Sequence, residues 1–243
     1  MRCFVFAAMF LVAFSSLAFA GPIHRAVEKG DFKEVVRLID DYDRLKDEQD
    51  DFGWTPLHVA ANAGNARMVS LLLQRGANPN LRANNGHTPL HKACYAGSEA
   101  GASMLIRAGA DVNAFSNSGG TPLQAAAYSG NKNLVALLFR NGADLEAVNG
   151  SGATALHVAA ESGRTKTVSM LLSLKANKNA KDSMGRTPLY LAVAKGRVDA
   201  ARLLLKAGAS PDIKAKDGKS PRSLAASRPK MAELMKGMKG KKK

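Results

Sequence analysis

Histidine is the residue whose type and spacing in this chain could most directly support chemistry. Four of the five histidines follow Leu or Ile, and these are His24, His58, His91 and His157. Imidazole nitrogens bind zinc when several ligands converge on one centre, and an imidazole beside a nucleophile can act as a general base. The fifth, His87, has no Cys or acidic neighbour at metal-ligand spacing, which favours a contact or surface role over ligation.

The sequence contains none of the common motifs that activate a nucleophile or bind a phosphate. There is no Gly-x-Ser-x-Gly, no phosphate-binding loop and no His-Glu-x-x-His. Gly218, Lys219 and Ser220 lack the upstream glycine that such a loop needs. Cys94 occupies the second position of an Ala-Ala pair, which favours an inert buried thiol. We therefore expect no enzymatic activity, no cofactor and no metal site.

A motif that recurs every 33 residues predicts the elements that must position these side chains. Its copies start at Thr55, Thr88, Thr121, Thr154, Thr187 and Ser220, and an earlier copy, one residue out of phase, starts at Pro22. The Thr can cap a helix, and the Pro that usually follows suits the first helical turn. After them come an Ala-rich helix, a Gly, a second helix with apolar residues at helical spacing and a polar turn. Each copy thus predicts a helix pair and a turn.

The pattern Gly-x-Thr-Pro-Leu-His-x-Ala-Ala, followed by Leu-Leu-x-x-Gly-Ala, resembles the ankyrin repeat and covers nearly the whole chain after residue 21. The resemblance implies an all-α repeat solenoid of helix-turn-helix units with β-hairpin fingers, in which neighbouring units stabilise one another. It also implies that the histidine after Leu or Ile is structural, its ring bonding the backbone of the adjacent finger. Equivalent positions lie about one repeat apart along a solenoid, so these rings would not meet at one metal.

The first and last copies depart from the pattern in the way that terminal caps require. Charged residues are interspersed in the first copy, and Arg222 replaces the core Leu in the last. Lys175 stands where other copies have Gly, which predicts a left-handed residue at a cost of about 1 kcal/mol. The predicted organisation is a signal peptide (1–20), an N-terminal capping repeat (21–52), five full repeats (53–85, 86–118, 119–151, 152–184 and 185–217), a C-terminal capping repeat (218–235) and a basic tail (236–243).

Residues 1–20 have the features of an export signal. Arg2 supplies a positive charge, residues 3–20 form an uncharged and mostly apolar run, and the run ends in the small-x-small pattern Ala-Phe-Ala. We expect cleavage before Gly21 and a periplasmic or secreted protein; an uncleaved membrane anchor is the alternative. Cleavage also removes Cys3, so the mature chain would have no intramolecular disulfide.

The net charge of +15 is concentrated near the C-terminus. Residues 175–243 contain 19 Lys or Arg against five Asp or Glu, whereas residues 21–174 contain 15 of each. A Lys-rich end of this kind can dock on an anionic polymer or a membrane surface, which is the alternative function. Truncation after Met235 would abolish that binding and leave protein binding largely intact. We do not expect nucleic acid to be a partner.

The resemblance places partner contacts on the fingers and on the exposed ends of the first helices, which form the concave side in this family. Exposed Trp and Tyr are over-represented among residues that dominate binding energy. Carried over copy by copy, the candidate binding residues are Phe52, Trp54, Arg82, His87, Tyr95, Phe115, Tyr128, Glu161, Lys181, Met184, Arg186 and Lys195. We expect a groove that is acidic near Asp50 and Asp51, aromatic in its middle and basic at its end; Trp54 could instead cover the N-terminal cap.

The sequence therefore predicts a non-catalytic scaffold outside the cytoplasm, monomeric before binding, that holds an exported protein in its concave groove and regulates or inhibits it. Some bacterial periplasmic ankyrin proteins resemble it in having a signal peptide followed directly by repeats. Certain of those act like immunity proteins, so the resemblance implies, by analogy alone, inhibition of a cell-wall hydrolase.

Overall fold

The computed structural model describes residues 21–236, so the predicted signal peptide and residues 237–243 of the predicted basic tail lie outside the described residues. Within that range the chain forms fourteen α-helices and one 3-10 helix (Asp43–Asp47), and no strand. None of these helices has the length and apolar content needed to cross a bilayer. The helices are α1 (Pro22–Lys29), α2 (Phe32–Asp41), α3 (Pro56–Asn62), α4 (Ala66–Gln74), α5 (Pro89–Tyr95), α6 (Glu99–Arg107), α7 (Pro122–Ser129), α8 (Lys132–Arg140), α9 (Ala155–Ser162), α10 (Thr165–Ser173), α11 (Pro188–Ala194), α12 (Val198–Lys206), α13 (Pro221–Ala225) and α14 (Pro229–Lys236).

In the full repeats that begin at Thr55, Thr121 and Thr187, the first helix of the pair begins where a Thr side chain accepts a hydrogen bond from a free backbone amide of the helix. In α3, Thr55 Oγ1 accepts a hydrogen bond from His58 N at 3.3 Å, and His58 Nδ1 accepts one from Thr55 N at 3.1 Å. This reciprocal arrangement is a capping box, and Pro56 occupies the first turn, where a missing N–H costs nothing. The capping residue therefore fixes both the start of the helix and the position of the histidine three residues later.

The described residues form two compact units. The first comprises residues 21–93 and 100–110, and the second comprises residues 94–99 and 111–236. In the second unit the first helices of successive copies pack side by side in the order α7, α9, α11 and α13, and the second helices pack as α8, α10 and α12. Fully buried leucines fill the space between the two rows, including Leu123, Leu138, Leu156, Leu171 and Leu189. Each helix pair thus buries its apolar face against its neighbours, as a repeat array requires.

The fingers between helix pairs are turns organised by one polar side chain. In the first unit, Asp50 Oδ1 accepts hydrogen bonds from Phe52 N at 2.9 Å and Trp54 N at 2.8 Å, while Asp50 N donates to Trp54 O at 2.9 Å. Asn84 N donates to Phe52 O at 3.0 Å and so connects this finger to the next. The predicted helical repeat architecture is confirmed. The predicted β-hairpins are not confirmed, because the backbone hydrogen bonds between the two sides of a finger are too few to form strands in the described residues.

Lys175 is the only non-glycine residue with a positive φ among residues 21–236, at 71°. The sequence position predicts this conformation, because the other copies place Gly there. We expect Lys175→Gly to raise the free energy of unfolding by about 1 kcal/mol, since a Cβ is strained in the left-handed region. Urea denaturation of wild type and variant measures the change. Lys175→Ala is the control, because it removes the same charge but keeps the Cβ; a gain as large as that of the Gly variant would contradict the backbone explanation.

Candidate functional site

The histidines that follow Leu or Ile hold the fold together, as the resemblance implies. His24 Nε2 lies 2.8 Å from Trp54 O, His58 Nε2 lies 3.0 Å from His87 O, and His157 Nε2 lies 3.0 Å from Arg186 O. Burial lowers the pKa of His58 to about 4 and also lowers the pKa of His157, so both rings are neutral near pH 7. His58 and His157 therefore bond backbone groups through both ring nitrogens. His24 does so through Nε2, and its buried Nδ1 has no hydrogen-bond partner among the described residues.

The other chemically suggestive residues also have structural positions. Cys94 is fully buried, and burial raises the pKa of its thiol, which leaves it protonated. Ser220 caps α13: its Oγ accepts a hydrogen bond from Ser223 N at 3.2 Å. Within residues 21–236 no three His, Cys, Asp or Glu side chains are grouped so that they could hold a metal ion.

In the first unit the predicted contact residues differ in exposure. Phe52 is 49% exposed and Arg82 is also exposed, whereas Trp54 and His87 are half-buried. The ammonium nitrogen of Lys92 lies 3.9 Å from the centre of the Trp54 ring. His87 stacks on His91, with ring centres 5.1 Å apart. Trp54 is thus partly covered and partly accessible, and its contact with a partner stays a prediction.

Sequence reasoning missed Lys92. It is only 8% exposed, on the first helix of its copy, where the other four full repeats have an apolar residue. Burial lowers the pKa of its ammonium group to about 8. A charged residue at a position that the 33-residue period assigns to the core was the available signal, and it is visible when the copies are aligned.

In the second unit, Tyr95 and Tyr128 form an exposed aromatic pair. Their ring centres are 6.1 Å apart, with one ring edge towards the face of the other. Tyr95 is 43% exposed and Tyr128 is 53% exposed. The two residues are 33 positions apart, so they occupy the same place on the first helices of consecutive copies. Phe115 is 48% exposed on the preceding finger, and Lys181 is exposed on a later one.

A pocket of about 390 Å³ in the second unit brings together four of the predicted residues, Glu161, Met184, Arg186 and Lys195. Met184 is half exposed at its edge. The remaining lining residues were not predicted: Tyr190, Leu191, Ala194, Ala215 and Asp217. Leu191, Ala194 and Ala215 form an apolar surface together with the Tyr190 ring. The pocket can therefore accept one apolar side chain between charged groups.

The charged groups of this pocket are held by ion pairs and hydrogen bonds. Arg186 binds the fully buried carboxylate of Asp182 at 2.7 Å, and Lys195 Nζ lies 3.3 Å from Glu161 Oε1. Tyr190 Oη donates to Asp217 Oδ2 at 2.7 Å; burial and this carboxylate raise the pKa of Tyr190 to about 12. The polar rim is thus arranged before any ligand arrives.

Several known proteins share parts of this sequence. A segment of 62 residues is 44% identical to mouse 2-5A-dependent ribonuclease and covers 26% of this chain and 8% of the relative. A segment of 56 residues is 43% identical to 26S proteasome non-ATPase regulatory subunit 10 of Dictyostelium discoideum (23% of this chain, 24% of the relative). A segment of 57 residues is 46% identical to an ankyrin repeat protein of Neisseria meningitidis serogroup B (24% and 21%). The matches therefore span less than a quarter of each relative.

The family match is much more extensive than these pairwise matches. The family described as "Ankyrin repeats (3 copies)" matches residues 23–116 and again residues 123–217, the same ranges in which the helix pairs recur. Capped helix pairs, buried Leu layers and histidine-to-finger hydrogen bonds accompany the match. The chain belongs to the ankyrin-repeat family.

Proposed function

We propose that this protein is an exported, non-catalytic scaffold that binds another protein through its exposed first-helix and finger residues and thereby regulates or inhibits it. Ankyrin repeats are protein-interaction modules and are generally non-catalytic, which supports the coarse part of the proposal. The finer parts of the proposal are the location of the protein, the residues that bind the partner and the effect on the partner. The exposed Tyr95–Tyr128 pair is the observation that supports the choice of binding residues.

Two half-exposed tyrosine rings in contact present apolar area together with two hydroxyl groups. Tyr is enriched among the few residues that supply most of the binding energy of an interface, because a rigid ring buries a large area at a low entropic cost. The edge-to-face contact also holds each ring in place before binding, which reduces the entropy lost on association. We infer that this pair is a main contact of the partner.

The pocket beside Met184 supports a second contact. Its apolar surface would bury one partner side chain, while the Arg186–Asp182 and Lys195–Glu161 pairs would orient polar groups around it. Interfaces commonly combine a buried apolar centre with a polar rim. The pocket thus gives the partner a place for one anchor residue.

Export is supported by the sequence of residues 1–20 alone, with its Arg2, its apolar run and its Ala-Phe-Ala end. An inhibitor of a cell-wall hydrolase would need this location, and such a partner is the example we favour by analogy with periplasmic ankyrin proteins.

Crosslinking in the native envelope or secretome, followed by mass spectrometry, tests the proposal. We expect one exported protein to be recovered, and we expect the recovered ankyrin chain to begin at Gly21. The double variant Tyr95→Ala, Tyr128→Ala should weaken the affinity for that protein at least tenfold, about 1.4 kcal/mol, measured by calorimetry with purified proteins.

Phe139→Ala is the matched control, because Phe139 is 39% exposed in the same unit but lies on the second helix of its pair. Its affinity for the partner should equal that of wild type. Equal affinities for all variants would refute the role of the tyrosine pair, and recovery of the chain with residues 1–20 in the cytosol would refute export.

A further inference from the structure

Lys92 is a buried cation at a position that an apolar side chain occupies in the other full repeats. The same place in the other full repeats is occupied by Val59, Ala125, Val158 and Leu191, whereas the N-terminal capping copy has Arg25 there. A Lys is almost never this buried unless it is paired, because removing an ammonium group from water is costly. A residue that breaks the local pattern without an evident gain in stability is typical of a functional position.

Among residues 21–236, no carboxylate forms an ion pair with Lys92. Its Nζ lies over the face of the Trp54 ring, 3.9 Å from the ring centre. Burial lowers its pKa to about 8, with no acidic group acting in the opposite direction. The titratable groups that sense its positive charge are His58 and His87, and it lowers the pKa of both. Within the described part of the chain, the ammonium group thus lies beside an aromatic ring and has no counter-charge.

We propose that Lys92 and Trp54 form a receptor for an Asp or Glu side chain of the partner protein. This inference rests on the proposed function and names the chemistry of the partner at this point. An incoming carboxylate would supply the missing counter-charge in a partly desolvated place, where a charge-assisted hydrogen bond is strong. Trp54 would form one wall, and the exposed Phe52, two residues away on the same finger, would contact an apolar neighbour of the acidic residue.

Trp54 is the only Trp of the chain, so its fluorescence reports on this receptor directly. The probe is a phage-displayed library of random 12-residue peptides, selected on the mature protein and counter-selected on Lys92→Met. We expect the selected peptides to share an Asp or Glu at a fixed position next to an apolar residue. Titration with the synthetic peptide should change the Trp54 emission.

Lys92→Met keeps the length of the side chain and removes the charge, and it should weaken peptide binding at least tenfold. Replacing the shared acid of the peptide by its amide should cost the same factor, and combining the two changes should cost no more than either alone. Lys132→Met, an exposed Lys on α8, is the control and should bind as wild type. The proposal is overturned if the selected peptides share no acid, or if no peptides are selected. It is also overturned if the peptides bind Lys92→Met as tightly as wild type.

A purely structural role of Lys92 predicts a different outcome. If Lys92 served the fold through Trp54, Lys92→Met would lower the melting temperature, whereas the receptor predicts an equal or higher one. Because the folded-state pKa of about 8 lies below the ordinary value of 10.5, the unfolded chain binds the proton more tightly. The stability of wild type should therefore rise between pH 8 and pH 10.5, and Lys92→Met should lack this part of the rise.

The two proposals fail separately. If envelope crosslinking recovers a protein partner whose affinity does not change in Lys92→Met, only the carboxylate receptor is refuted. If no exported partner is recovered, the proposed function itself fails.

Discussion

Acidification from pH 6.5 to pH 4 is expected to lower the free energy of unfolding by about 3 kcal/mol through His58 alone. Burial lowers the folded-state pKa of this ring from 6.5 to about 4. A pKa difference of one unit between the folded and unfolded states corresponds to about 1.4 kcal/mol of stability. Since the folded-state pKa is the lower one, the unfolded chain takes up the proton first. The contribution is therefore complete above pH 6.5 and is lost progressively as the pH falls towards 4.

Burial explains why the folded state resists protonation of His58, and the hydrogen bonds of the ring hold it in that buried place. Its Nδ1 accepts from Thr55 N at 3.1 Å, which leaves the proton on Nε2 to be donated to His87 O at 3.0 Å. A second proton on Nδ1 would point at the Thr55 N–H and remove the acceptor that caps α3. Protonation thus removes one bond of the capping box that begins α3, whereas the bond from Nε2 to His87 O is retained.

The chain itself supplies the control for this prediction. Gln124 occupies the same place in a later copy: its Oε1 accepts from Thr121 N at 3.3 Å and its Nε2 donates to Ala153 O at 2.8 Å. His58→Gln should therefore preserve the bonds at neutral pH and remove the loss between pH 6.5 and 4. Urea denaturation of both proteins across this range measures the difference. Parallel curves for wild type and variant would show that His58 is not the group responsible.

Gly152→Ala is expected to lower the free energy of unfolding by about 3 kcal/mol. Gly152 has a φ of 75°, which strains any residue with a Cβ, and an added Cβ would lie 2.6 Å from the backbone N of Ser183. That amide donates to Ser151 O at 2.9 Å and joins two neighbouring fingers. The substitution therefore combines local strain with a backbone clash that no rotamer can relieve.

Gly142→Ala separates these two causes, because Gly142 has a φ of 87° but an added Cβ would meet nothing within 4 Å. It should cost about 1 kcal/mol, the strain alone. Thermal unfolding of both variants measures the two losses. Equal losses would mean that the close approach of the fingers contributes nothing.

Much of the local structure could be predicted from the sequence, because it depends on residues only a few positions apart. Thr55 and Pro56 specify the start of α3 through contacts that span three residues. The positive φ of Lys175 follows from its place in the 33-residue period, and so does the burial of Cys94. The grouping of Glu161, Met184, Arg186 and Lys195 around one pocket was not foreseeable in this way, because it brings together parts of two successive copies.

The 33-residue period by itself determined the helix pairs and their capping residues, since the same short-range contacts repeat in each copy. The structural role of the histidines was implied by the resemblance to the ankyrin repeat. The tertiary structure decided the rest. It showed that Asp50 and Asp182 hold two of the fingers, with no strand among residues 21–236, and that Lys92 lies over Trp54, 38 positions earlier. Such contacts depend on how closely neighbouring units pack and on which charges that packing removes from water, and a one-dimensional pattern does not contain those distances.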